Sequence, residues 1–443
     1  MSSQKHRNTK NHNNKHLNNH LNMQIKEFDF DSFKEVCKKV ALSFKWIILG
    51  IVMGLLVGTI GTGFYYGIRY ATAFRLNHDL IILLLPVAGL LIVFLYHICG
   101  FNHDSGTNLV LDSISKGENI PLLKAPLIFI STVITHLFGG SSGRESAALQ
   151  IGGSIGQNFG SLIRLDEDDK KMMTMCGMSA AFSSLFGTPM AAAFLALEIV
   201  NVGHLYYSAL VPCVLASLAA SELSKFFGTV PDSFNIKNMP SFNINNAFVA
   251  GILAILCALV SIFFCVFMHM IGKYFNTKIE NDYLKIFAGG LIIVALTYAS
   301  CTRMFNGAGM DVIEMAVNGK APYLAFLVKL LFTAITLGSG FKGGEIVPSL
   351  YVGATFGCTF ARLTGFSPAL SSAVGMCALF CGVTNCPVAS LLLCFEMFGY
   401  KGMPFYLIAI SLSYVFSGYY SVYTSQKIVY SKFKNISIDR NTK

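Results

Sequence analysis

The sequence predicts an all-α polytopic membrane protein made of two copies of one unit, on three observations. Of its 443 residues 53% are hydrophobic and only 13% charged, whereas soluble domains carry about 25% charged residues. Apolar stretches at 46–66, 79–99, 248–271 and 403–417 reach or approach the roughly 20 residues that cross a bilayer, and those between them are shorter and broken by Gly or Pro. The third observation is an internal repeat. Gly177–Val200 reads GMSAAFSSLFGTPMAAAFLALEIV and Gly375–Phe398 reads GMCALFCGVTNCPVASLLLCFEMF. In both, Gly-Met stands twelve positions before a proline (Pro189, Pro387) and a glutamate nine after it (Glu198, Glu396). Sliding Gly139–Gly156 forward by two hundred residues lays Gly143 on Gly343, Glu145 on Glu345 and Gly153 on Gly353. The copies run over about 46–225 and 245–425, with two residues of register lost between them. Broken apolar segments at matching places in two halves point to a site near the bilayer midplane.

The elements follow in order. Nine of the 33 Lys/Arg fall in the first 45 residues and five after residue 425. This bias places both termini in the cytoplasm and makes the number of crossings even; the net charge of +10 is therefore not a nucleic-acid signal. Residues 1–25 are Asn-, His- and Lys-rich and read as a disordered tail, although His6, His12, His16 and His20 allow a metal-binding alternative. Residues 26–45 read as an amphipathic surface helix, with Phe28, Phe30, Phe33, Val36, Val40 and Phe44 against Lys34, Lys38, Lys39 and Lys45. Spanning helices follow at 46–70 and 79–99. In 102–118, Asp104, Ser105, Gly106, Thr107 and Asn108 precede Leu109, Val110 and Leu111, which suggests an N-cap or hydrogen-bond donors for a dehydrated anion. The twelve cysteines form no CxxC; Cys176, Cys213, Cys257, Cys265, Cys377, Cys381, Cys386 and Cys394 read as small buried hydrophobes rather than disulfides or metal ligands. No cleavable signal peptide is expected, nor any cofactor, and 426–443 reads as a C-terminal cytoplasmic tail.

The chemistry concentrates in Gly139–Gly156, GGSSGRESAALQIGGSIG. Arg144 and Glu145 stand in its middle, between apolar flanks, where an ionisable side chain costs about 2.5–3.5 kcal/mol on insertion scales. The pair is a functional candidate for that reason. A helix starting here aims free N–H groups and its positive dipole end at an anion.

With these motifs in hand, the sequence resembles the CLC family of chloride channels and anion/proton antiporters. GRES (143–146) is similar to that family's GREGP motif and GGEIVP (343–348) to its GxFxP-type motif; the proline-to-glutamate helices and the repeat match too. The resemblance covers about 46–425. It implies two inverted-topology halves of tilted, broken helices, a homodimer with one path per subunit, and no enzymatic activity. It implies that Glu145 is a gating and proton-carrying glutamate. Arg144, Ser146 and Ala147, with Ile346 and Val347 beside Glu345, would form the anion site. Thr107 falls at or near the family's central serine and Tyr423, in GYYSVYTSQ, at or near its central tyrosine.

Two departures bear on the ion. Ile199 stands where proton-coupled chloride exchangers of the family often carry an inner glutamate. Glu345 replaces an apolar residue beside the anion site, and this GGE motif, with NLVLDSI after Thr107, resembles the fluoride/proton antiporter branch, whereas Thr107 itself is neither the Met nor the Asn of that branch. Chloride and fluoride both stay open. The expectation is halide transport as a proton-coupled antiporter, since a channel needs no second carboxylate and protonating one lets an anion enter; a passive chloride channel is the alternative. The GxSG pattern of Gly140–Gly143 offers a remote one, an intramembrane serine protease, which requires His204 or His269 within hydrogen-bond reach of Ser142.

Overall fold

The computed structural model describes residues 30–101, 105–234, 236, 239–434 and 436–443. The expected tail at 1–25 with its histidines, Phe28, the side chains of Phe30 and Phe33, and Asp104 lie outside the described set. Sixteen helices are numbered here in chain order: α1 Phe30–Asn77, α2 Leu85–Ile98, α3 Thr107–Lys116, α4 Lys124–Leu137, α5 Glu145–Leu162, α6 Glu167–Phe186, α7 Pro189–Glu198 and α8 Leu210–Phe226 form the first half. The second half comprises α9 Ile244–Lys278, α10 Asp282–Ala299, α11 Met310–Val317, α12 Ala325–Gly338, α13 Ile346–Thr364, α14 Pro368–Thr384, α15 Pro387–Phe398 and α16 Met403–Phe416. Among the described residues, six helical segments are long and apolar enough to cross a membrane: Lys34–Asn77, Asp79–Ile98, Tyr207–Phe226, Ile244–Lys278, Asp282–Ala299 and Ile346–Thr364. The shorter apolar helices include α4, α7, α12, α14 and α15, as expected of broken segments.

The chain divides into two compact units, 1–49 and 50–443. In the first, Val36, Val40 and Phe44 stand exposed. The expected surface helix and first spanning helix are one element, α1, because no proline interrupts Phe30–Asn77. In the second unit Gly50, Gly54 and Gly58 form a stripe of small residues along α1. A Cβ on Gly50 would meet the Pro212 Cα at 3.1 Å, and one on Gly58 the Ala220 Cα at 2.9 Å, so this stripe seats α1 on α8. The same device recurs in each half: Gly156 of α5 abuts Thr174 of α6, and Gly353 of α13 abuts Met376 of α14. Without water between helices to drive association, close backbone approach at small residues is what holds apolar helices together.

The spacing of proline and glutamate has a structural explanation. The Glu198 carboxylate, at the end of α7, accepts from the Val388 and Ala389 N–H groups at 3.2 and 3.0 Å, in the first turn of α15. Glu396 in α15 does the same for Met190 and Ala191 of α7, both at 2.9 Å. Each half thus closes the orphan donors of the other half's proline-initiated helix, where a carboxylate also meets the positive dipole end. The motif is a reciprocal cap between repeats.

One expectation is corrected by the packing. Cys377 of α14 and Cys394 of α15 are joined as a disulfide, their Cα atoms 6.2 Å apart, because the left-handed turn at Asn385 (φ 58°) folds α15 back. The other cysteines named from sequence are free and buried. The described residues past 425 form short strands. Strand β1 (Asn201–Val202) pairs in parallel with β2 (Lys427–Tyr430), which pairs antiparallel with β3 (Ser437–Asn441). The Thr442 hydroxyl donates to the Tyr423 carbonyl at 2.7 Å, so the returning strand braces the segment that carries Tyr423.

Replacing Glu396 by Gln keeps the side chain's size and removes its charge. Hydrogen bonds to charged groups contribute roughly 1.5–3 kcal/mol each, so the thermal midpoint of the purified variant should fall by several degrees while its halide selectivity stays as in the parent. A midpoint equal to the parent's would refute the reciprocal cap.

Candidate functional site

The two halves meet through their glycine-rich turns. The Gly143 N–H donates to the Gly344 carbonyl at 2.7 Å and the Gly344 N–H to the Gly143 carbonyl at 2.8 Å, an isolated antiparallel bridge. Helices α5 and α13 each start just past it, so two helix N-termini converge on one buried place. Only glycine fits there. A Cβ on Gly344 would lie 2.8 Å from the Ser146 nitrogen, and one on Gly143 would meet Pro348 at 3.1 Å and the Glu145 carboxylate itself. The turn is further held by Ser141, whose N–H and hydroxyl bond Thr336 and Thr333 of α12 at 3.1 Å each, and by His136, whose Nε2 lies 3.3 Å from the Gly143 carbonyl.

The bridge also fixes the register between repeats, one residue away from the alignment read in the sequence. Gly143 pairs with Gly344, not Gly343, so the counterpart of Glu145 is Ile346, and the counterpart of Glu345 is Arg144. The helices agree, beginning at Glu145 and Ile346 with Arg144 and Glu345 at the N-cap positions. Adjacent glycines, Gly343-Gly344 and Gly152-Gly153, make a one-residue slip invisible to pattern matching. Three residues of register, rather than two, are then lost before the proline–glutamate helices. The consequence is chemical: related by the repeat, an arginine faces one side of the bridge and a glutamate the other.

Glu145 is fully buried. Its Oε2 accepts from its neighbour's backbone, Arg144 N–H at 2.9 Å, and from the Val347 N–H at 3.4 Å, in the first turn of α13. Its Oε1 has no hydrogen-bond partner among the described residues. The carboxylate thus sits where the α13 N-terminus would hold an anion. Arg144 bonds Asp232, its Nη2 on Oδ2 at 2.9 Å, while its Nε stands 3.7 Å from Glu145 Oε1. Ala147 and Ile346 are buried at the same junction.

On the other side Thr107, Glu345 and Tyr423 line a cavity of about 700 Å³. The Ser146 and Tyr423 hydroxyls face the Glu345 carboxylate, yet neither closes a hydrogen bond within the described residues. Glu345 and Tyr423 thus stand on the cavity wall, with Ser146 beside the Glu345 carboxylate. Glu345 makes no side-chain bond to its own helix start, so capping does not explain it. The N-cap expected before Leu109 is not formed by a side chain either. Helix α3 begins after Gly106, held at φ 58°, and the Thr107 hydroxyl accepts from Gln150 Nε2 at 3.4 Å. Asn108 and Asp112 instead hold Ser425, at 3.0 and 2.8 Å, which ties α3 to the Tyr423 segment.

The structure thus gathers Glu145, Ser146, Glu345, Val347 and Tyr423 at one junction, with Thr107 on the adjoining wall and Arg144 opposite. Sequence reasoning missed Gln150, a polar residue inside an apolar helix. It also missed Lys342 and Lys273 on the cavity wall, and Asp232, which no local pattern marks. The protease pairing is absent: the Ser142 hydroxyl has no partner among the described residues, His269 engages the Val422 carbonyl at 3.4 Å and His204 packs edge-on against Tyr206.

Fold and site together define a multi-pass membrane protein of inverted repeats, with a buried junction of two helix N-termini between its halves. The model of a family described as voltage gated chloride channel matches residues 89–418, and the chain belongs to that family. It is 34% identical to a chloride/fluoride channel protein of Pseudomonas syringae pv. tomato, over 88% of this chain and 87% of that one. It is 24% identical to the H(+)/Cl(-) exchange transporter ClcA of Vibrio cholerae, over 83% of this chain and 85% of that one. Among solved structures, a CLC-type fluoride/proton antiporter superposes with a TM-score of 0.84 at 32% identity, over 87% of this chain and 98% of that one. A slow cyanobacterial Cl-/H+ antiporter shares the fold, with a TM-score of 0.71 at 20% identity, over 84% of this chain and 94% of that one.

Proposed function

We propose that this protein exchanges a halide for protons across a membrane, with Glu145 as the gate. One observation carries the reading: the Glu145 carboxylate occupies the first turn of α13, the place an anion would take. A proton on that carboxylate removes the charge that competes for those N–H groups, and the side chain leaves the place to the halide. Proton and anion binding are thereby linked, and linkage is reciprocal. Arg144, Ser146, Ala147, Ile346, Val347, Thr107 and Tyr423 form the path around it, with Ser146 and Tyr423 offering hydroxyl donors next to Glu345. The working unit is taken to be a homodimer in the cell membrane, both termini cytoplasmic by the Lys/Arg bias. Domain limits of 1–45, 46–425 and 426–443 are kept, with the last segment folded onto the transport domain.

Of the two halides, fluoride is favoured. Glu345 stands on the cavity wall, opposite two hydroxyls, and a passive chloride channel needs no carboxyl there. In its protonated form it is a strong donor for a small, basic anion; chloride accepts weakly and gains less. The relatives named for fluoride, at 34% and 32% identity, agree with this choice.

Two substitutions test the reading in proteoliposomes, with halide release and pH followed together. Glu145→Gln imitates the protonated gate, so halide flux should persist while accompanying proton movement drops to background; undiminished proton coupling would rule the gate out. Glu345→Ala should lower fluoride flux roughly tenfold or more, as expected for one lost charge-assisted hydrogen bond of about 1.5–3 kcal/mol, and leave chloride flux within about twofold. Equal losses for both halides would contradict the fluoride assignment.

A further inference from the structure

Asp232 lies on the connection between α8 and α9, remote in sequence from every motif. It is nonetheless placed with care. Its N–H donates to the Phe186 carbonyl at 3.1 Å, at the end of α6, and two residues on the Phe234 N–H donates to the Met397 carbonyl of α15 at 2.8 Å. The connection is thus pinned to both halves. Pro231 packs over Gly187, where a Cβ would meet the ring at 2.9 Å. The result is a carboxylate delivered to Arg144, with its side chain only 18% exposed and that of the arginine 12%.

Arg144 is the shared element. Its Nη2 serves Asp232 at 2.9 Å and the Leu185 carbonyl at 3.4 Å, and its guanidinium lies over the Tyr65 ring, 5.2 Å from the centroid. Its remaining side faces Glu145, where the Nε–Oε1 separation is 3.7 Å, too long for a hydrogen bond. Yet that same Oε1 is buried and accepts no hydrogen bond among the described residues. A buried carboxylate oxygen beside an arginine ordinarily closes a short charge-assisted pair. Here the guanidinium bonds a competing carboxylate instead.

Resting on the reading of Glu145 as the gate, we propose that Asp232 is a positioning residue that keeps Arg144 from locking that gate. With Asp232 in place, Arg144 lends positive charge to the junction without a direct bond to Glu145, and the carboxylate can leave. With Asp232 neutralised, the guanidinium closes the 3.7 Å separation from Oε1 and holds the gate shut by a short ion pair in a low-dielectric site, where breaking a pair is costly. Asp232 touches neither the halide nor the moving proton.

The test is a double-mutant cycle on full-length protein in proteoliposomes, using fluoride and chloride gradients. Asp232→Asn should lower maximal halide turnover roughly tenfold, equivalent to about 1.4 kcal/mol of extra barrier, with the half-saturating halide concentration little changed. Asp232→Glu, which keeps the charge, should restore turnover to within about threefold of the parent. In the Glu145→Gln background Asp232→Asn should have no further effect, because a neutral gate offers Arg144 no ion pair. An Asp232→Asn protein as fast as the parent overturns the proposal, as does equal slowing in both backgrounds, which marks a structural role. If the Asn variant does not fold, Asp232→Ser, shorter than the native side chain, carries the same expectations. Failure of the gate itself reads differently: Glu145→Gln alone would retain proton coupling, whatever Asp232 does.

Discussion

Everything in this molecule depends on two glycine turns touching backbone to backbone. The Gly143–Gly344 bridge sets α5 and α13 end to end, so that two sets of unpaired N–H groups and two positive dipole ends face one buried place. Such a junction is unfavourable unless something negative occupies it. In this structure the occupant is Glu145. The carboxylate accepts from N–H groups at both helix starts, and the proposed gate rests on that arrangement.

The repeat explains the division of labour. Inverted repetition would make the two sides of the junction alike, and the backbone obeys it in the bridge, the paired close-packed helices and the reciprocal caps of Glu198 and Glu396. The side chains break it. Arg144 and Glu345 hold equivalent positions with opposite charge. Arg144 is bonded to Asp232, whereas Glu345 lines the cavity with Tyr423.

Much of this was legible in the sequence. Glycine between apolar flanks, with Arg144 and Glu145 at its centre, marked the junction, because such charges survive at membrane depth only in use. The proline-to-glutamate spacing marked the repeat, although its purpose, capping the opposite half, needed coordinates. The register did not come out correctly, since neighbouring glycines fit equally well one place apart. Local reasoning also failed at Cys377 and Cys394, whose proximity is made by the turn at Asn385. The C-terminal strands escaped notice because they are short and find their partner in Asn201–Val202, far back in the chain. Asp232 was illegible for the same reason: its meaning lies wholly in a long-range contact.

The central claim is that Glu145 and the halide compete for one place at the start of α13. It is tested most directly by locating bromide in crystals of the parent and of the Glu145→Gln protein by anomalous scattering. The account predicts a bromide peak within about 3.5 Å of the Val347 nitrogen, a normal contact for a large anion on an N–H donor, in the variant and not in the parent. Bromide bound there in the parent with Glu145 unmoved, or missing there in the variant while bound elsewhere along the path, would contradict it.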